Sequence, residues 1–98
     1  MREEVNKLIN LGQMPAEGSV DIYIVAKYER LLHQIEPPLA NSEAEALIGL
    51  FGSDSFYGLA WTLLNLIETA PGLLSFISDI PSENEWVQLL RKRATSHT

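Results

Sequence analysis

Few side chains in this 98-residue chain could do chemistry, and their spacing supports little of it. His33 has Glu29 four residues before it and Glu36 three residues after it. On a helix that trio could form a pH-sensitive pair or a weak two-ligand metal site. A solvent-exposed histidine is the plainer reading, and His97 lies in the tail without such neighbours. Asp54 and Glu68 invite an acid–base pair, yet on one helix they would stand about 20 Å apart. An N-cap role for Asp54 and a surface role for Glu68 fit better. Ser53 and Ser55 have no histidine close in sequence to activate them. Gly49, Gly52 and Gly58 do not make a phosphate loop, because no strand precedes them and no Lys-Ser/Thr follows. There is no cysteine, hence no disulfide framework and no thiolate chemistry. The expectation is a protein that is not an enzyme and uses no metal or cofactor.

Charge is more informative. The formal net charge is −6, from 7 Lys and Arg against 13 Asp and Glu. From position 31 to position 90 there is no Lys or Arg, while Glu36, Glu43, Glu45, Asp54, Glu68, Asp79, Glu83 and Glu85 all fall there. Such a body repels nucleic acid and attracts basic partners. Arg91-Lys92-Arg93 is too short and isolated to reverse this, and reads as the basic end of a helix. No apolar run has the length of a membrane span, and Met1-Arg2-Glu3-Glu4 does not read as a signal peptide. A cytoplasmic protein with no nucleic-acid or membrane partner is expected.

These groups must be positioned by helices. The periodicity predicts an all-α, single compact irregular bundle of five to six short helices in one domain, 1–98, with the last residues frayed. Its centre is a buried helix over about 55–70, apolar around most of its circumference. Phe56, Tyr57 and Trp61 are expected in the core. Ser55, Gly58, Thr62, Asn65 and Thr69 step along it by three and four, as a close-packing seam or the floor of a partner groove. Before it come helices over 2–11, ended by Gly12, and over 20–35, ended by Pro37-Pro38. A short helix over 43–51 opens on a Ser42/Glu45 capping box. It must form a helical hairpin with the central helix across a short connection. Leu73, Leu74, Phe76, Ile77 and Ile80 make an apolar helix stopped at Pro81. Ser82 and Glu85 repeat the capping-box spacing before a last helix to about position 93, burying Trp86, Leu89 and Leu90. Trp86 could be a packing anchor or an interface hot spot. The helix pair is built as HEAT-like arrays are, but no internal period supports a repeat.

The stretch 50–72 resembles small helical bacterial proteins of the toxin-immunity kind. The residues that carry the likeness are Phe51-Gly52, Asp54, Phe56, Gly58-Leu59-Ala60-Trp61-Thr62-Leu63 and Ile67-Glu68-Thr69-Ala70-Pro71, followed by Asn84-Glu85-Trp86 and Leu89-Leu90. The resemblance implies a cytoplasmic immunity protein that neutralises a toxin domain stoichiometrically and brings no catalytic residues. The acidity of the chain suits a basic toxin, a nuclease for example, bound by a monomer in a one-to-one complex. The carboxylates expected to bind it are Glu36, Glu43, Glu45 and Asp54. The alternative is a non-catalytic adaptor or oligomeric subunit using an apolar patch of Leu73, Leu74, Phe76 and Ile77.

Overall fold

The helix at the centre of the molecule is shorter than its apolar run. In the computed structural model, which describes residues 1–95, it spans Leu59–Ile67 and buries Leu59, Ala60, Leu63, Leu64, Leu66 and Ile67. Burying its five large aliphatic side chains contributes at most roughly 10 kcal/mol, at about 2 kcal/mol each. Three residues set the start. Phe56, Tyr57 and Gly58 are all left-handed, with φ of 46°, 56° and 85°, so 56–58 cannot continue a right-handed helix. The helix expected from position 55 therefore begins four residues later.

Six α-helices and one 3₁₀ turn make up the described residues, with no strand. α1 is Glu3–Leu11, α2 Ile22–Gln34, α3 Asn41–Leu47 continued by a 3₁₀ turn Ile48–Leu50, α4 Leu59–Ile67, α5 Leu73–Ile77 and α6 Glu85–Thr95. The all-α bundle read from the sequence is the fold observed. α4 packs against α2, α3 and α6, while α1 lies on α2 and α3, and α5 joins α3 to α6. The core gathers Val5 and Leu8 of α1, Tyr28 and Leu32 of α2, Ala44 and Leu47 of α3, and Val87 and Leu90 of α6.

The helix ends follow local chemistry, not always the one expected. α1 does end at Gly12, whose φ of 85° suits glycine. Asp21 caps α2 by accepting from the Tyr23 N–H at 2.8 Å. α3 starts earlier than the Ser42/Glu45 box would place it. Ala40 precedes it and has no side-chain acceptor, so only the reciprocal half of a capping box forms, the Ala40 N–H donating to Glu43 Oε1 at 3.0 Å. α6 is capped by Asn84 and not by Ser82. Asn84 Oδ1 accepts from Trp86 N at 2.8 Å, and Ser82 Oγ accepts from Asn84 N at 3.1 Å. α6 buries Val87 and Leu90, leaving Trp86 and Leu89 half-buried. His97 and the rest of the expected frayed tail lie outside the described residues.

Candidate functional site

The four carboxylates expected to bind a partner do not form one free acidic surface. Glu36 and Glu45 are exposed. Glu43 is only 4% exposed and is clasped by Arg2. Arg2 Nε donates to Glu43 Oε2 at 3.0 Å, Nη2 to Oε1 at 3.1 Å, and the Arg2 backbone N–H to Oε2 at 3.2 Å. The same guanidinium reaches the carbonyls of Glu36 at 2.7 Å and Pro38 at 3.1 Å. Burial raises the carboxyl pKa, but the hydrogen bonds from Arg2 and Ala40 and the Arg2 charge outweigh it, so Glu43 stays ionised below the ordinary glutamate range. A buried carboxylate with its lone pairs filled from inside is a structural group and does not belong on a partner face.

Asp54 is half-buried and joins two loops. Its Oδ2 accepts from the Glu17 N–H at 2.9 Å and its Oδ1 from the Phe56 N–H at 3.0 Å. Glu17 returns the favour. Its Oε1 accepts from Ser55 Oγ at 2.9 Å and from the Tyr57 N–H at 3.0 Å. The Tyr57 hydroxyl then accepts from the Gly18 N–H at 2.8 Å. This reciprocal lock holds residues 56–58 in the left-handed region, where non-glycine residues store strain. Phe56 turns fully inward and meets Tyr28 edge to face at 5.3 Å. Tyr57 turns outward.

Two aromatic rings expected in the core are therefore on the surface: Tyr57 is 53% exposed and Trp61 46%. Trp61 lies on the one open side of α4 with Asn65, because α2, α3 and α6 cover the others. It meets Trp86 edge to face at 4.9 Å, and Trp86 in turn stacks on buried Phe51 at 6.1 Å and 9°. Trp86 Nε1 donates to the Asp54 carbonyl at 3.1 Å, so its polar edge is satisfied while its ring remains half-buried. Beside Trp86 and Leu89 is a hollow of about 320 Å³ that also takes in Asp54 and Glu85. A second hollow, of about 330 Å³, is formed by Val20, Ile22, Val25 and Tyr57, with Ile22 76% exposed. The result is two apolar sites backed by the core: Trp61 and Trp86 with Asp54 and Glu85 at one, and Tyr57 with Val20, Ile22 and Val25 at the other, where the Tyr57 N–H is held by Glu17. Glu17 carried no sequence signal, since its role depends on a loop 37 residues away closing on its own.

The remaining candidates are placed as follows. His33 is exposed, and no group of three or more His, Asp or Glu among the described residues could hold a metal. Glu68 accepts both Arg93 Nε at 2.8 Å and Arg93 Nη2 at 2.9 Å, which raises the Arg93 pKa through the hydrogen bond and the Glu68 charge. Arg91 donates to the carbonyls of Ile77 and Ile80. Two of the three residues in the basic run are thus engaged within the fold. Of the seam along α4, Thr69 is structural, its Oγ1 accepting from the Leu39 N–H at 2.9 Å, whereas Asn65 is exposed. In the apolar patch of the adaptor reading, Leu73 and Ile77 are buried and only Leu74 is well exposed. No helix among the described residues is long and apolar enough to cross a membrane. Comparisons with protein-family models, curated proteins and solved structures return no match, and the toxin-immunity resemblance draws no support from them.

Proposed function

We propose that this chain is a protein-binding module that neutralises a basic toxin domain by stoichiometric association. The observation that supports the reading is the pair Trp61 and Trp86 beside Asp54 and Glu85, with Tyr57 a further exposed ring. Large exposed rings seated on a packed core are the side chains that dominate protein–protein affinity. They lose little conformational entropy on binding, because Trp86 is already fixed by Phe51 and the Asp54 carbonyl. The carboxylates around them, on a body with no Lys or Arg between positions 31 and 90, suit a partner presenting Lys or Arg to the rings. Exposed Glu36 and Glu45 add to the field that steers such a partner, and Glu43 does not touch it.

The test is co-expression with the C-terminal domain of a large secreted protein encoded beside this chain. Restored growth and a one-to-one complex support the reading. Toxicity without rescue or binding removes that pair and brings the adaptor alternative forward, which sedimentation then tests through self-association.

A further inference from the structure

Besides the basic run near position 92, this acidic protein gathers cations in a cleft between α1 and α2. It has a volume of about 430 Å³ and is formed by Lys7, Asn10 and Leu11 from α1 and Lys27, Arg30, Leu31 and Gln34 from α2. Three of the chain's 7 Lys and Arg line it, and none of its 13 Asp and Glu does. Helical spacing explains the convergence. Lys7, Asn10 and Leu11 share one side of α1 at steps of three and four, and Lys27, Arg30, Leu31 and Gln34 share one side of α2. Where the two helices pack, these sides meet as facing rows of donors above half-buried Leu11 and Leu31.

Lys7 makes an exposed ion pair with Glu3 at 3.3 Å, one turn earlier on α1 and outside the cleft. Such a pair is weak and readily exchanged for a better anion. Lys27 and Arg30 sit three residues apart on one helix face, an arrangement of like charges that an anion between the helices relieves. Two amides, Asn10 and Gln34, add NH2 donors and carbonyl acceptors.

We infer that this cleft is a binding site for a small organic polyphosphate. Several cations converging on a small volume match a group carrying more than one charge, where a single carboxylate would need one. The guanidinium of Arg30 offers two parallel donors to a phosphate, and Lys7 and Lys27 act as point charges on either side. The leucine floor suits an apolar or ring-bearing moiety attached to the phosphates, and the volume lies within the range of small-molecule sites, about 300–1,000 Å³. The site is separate from the aromatic surface and does not depend on the partner reading.

The experiment is a titration of the isotopically labelled full chain with ATP and with inorganic pyrophosphate, following backbone amide resonances. Both ligands are expected to give saturable shifts concentrated in residues 7–11 and 27–34, with ATP moving Leu11 and Leu31 further than pyrophosphate does. The double variant K27Q/R30Q changes two exposed side chains and should keep the wild-type thermal melt while weakening binding at least roughly tenfold. K92Q removes an exposed charge outside the cleft and should bind as the wild type does. Shifts that fail to saturate at about 10 mM ligand would overturn the proposal. So would an equal loss in K92Q, the mark of diffuse attraction. Binding of a polyglutamate peptide without binding of pyrophosphate would overturn it in favour of an acidic protein segment.

Discussion

Arg2 and Glu43 are 41 residues apart in sequence, and their union decides how α1 docks on α3. Arg2→Ala leaves a buried carboxylate short of two side-chain donors and of its counter-charge, and is expected to cost roughly 2–4 kcal/mol at neutral pH, read from urea unfolding. The same pair sets an acid limit. The Glu43 pKa is held down in the folded protein, so its contribution is present above the unfolded value of about 4.3 and is lost as pH falls through the lower folded value. Wild type and Glu43→Gln should therefore converge in stability as pH drops below about 4, and differ at pH 7. Tyr28 works in the opposite range. Its hydroxyl donates to the Gly12 carbonyl at 2.8 Å, and burial raises its pKa. The stability it supplies is present below about pH 10 and lost as pH rises through its folded value. Tyr28→Phe should cost about 1 kcal/mol in a neutral urea melt. Neither role is legible locally. Glu43 reads as one more acid in a capping sequence, and only the return of the N-terminal segment shows that it is buried.

Among the elements, the junction before α4 carries the sharpest consequences. A Cβ on Gly52 would overlap the Met14 carbonyl oxygen, and the backbone of Met14 is fixed because its N–H donates to the Leu50 carbonyl at 2.8 Å. Gly58 needs its left-handed φ but has open space around it. Gly52→Ala should thus cost more than Gly58→Ala, about 2–3 against about 1–2 kcal/mol, which ranked thermal melts would resolve. Asn84 offers a similar separation. It caps α6, and its Nδ2 donates to the Phe51 and Gly52 carbonyls at 3.3 and 3.0 Å. Asn84→Ser keeps an acceptor for the cap and loses the bridge, so it should be milder than Asn84→Ala, with about 1 kcal/mol each for cap and bridge. The existence of every helix was legible, because Val5 with Leu8, Tyr28 with Leu32, and Leu63 with Ile67 recur at helical spacing. The start of α4 was not. Phe56 and Tyr57 have no intrinsic preference for φ above zero, and only the Asp54–Glu17 lock puts them there. The serine boxes misled for a related reason: Ser82 and Asn84 both suit a cap, and the Asn84 contacts to the 51–52 backbone select between them.

The molecule as a whole has an acidic body, an aromatic surface and a basic cleft, and these should separate in experiment. Trp61→Ala removes an exposed ring that takes no part in the Asp54–Glu17 lock, so affinity for the proposed partner should fall at least roughly tenfold, chiefly through faster dissociation, while the melt shifts little. Glu36→Gln with Glu45→Gln should slow association and flatten its dependence on salt, with dissociation unchanged. Stopped-flow mixing at two ionic strengths distinguishes the two variants. The acidity was legible from the run of 31–90 without Lys or Arg. The aromatic surface was not, because rings at helical spacing read as core until α2, α3 and α6 are seen to leave one side of α4 open. Lys7, Lys27 and Arg30 lie far apart in sequence and become one feature only when α1 packs on α2.

The edge-to-face contact of Trp61 with Trp86 has an optical consequence. These are the chain's only 2 tryptophans, and at 4.9 Å their indole transitions couple. The pair should give a paired band of opposite signs in circular dichroism, absent in Trp61→Phe. One ring is open to solvent and the other is bound to the Asp54 carbonyl, so the native protein carries its own unlabelled reporter. A molecule settling on the aromatic surface would alter that band and the emission together, while one entering the basic cleft would leave both as they are.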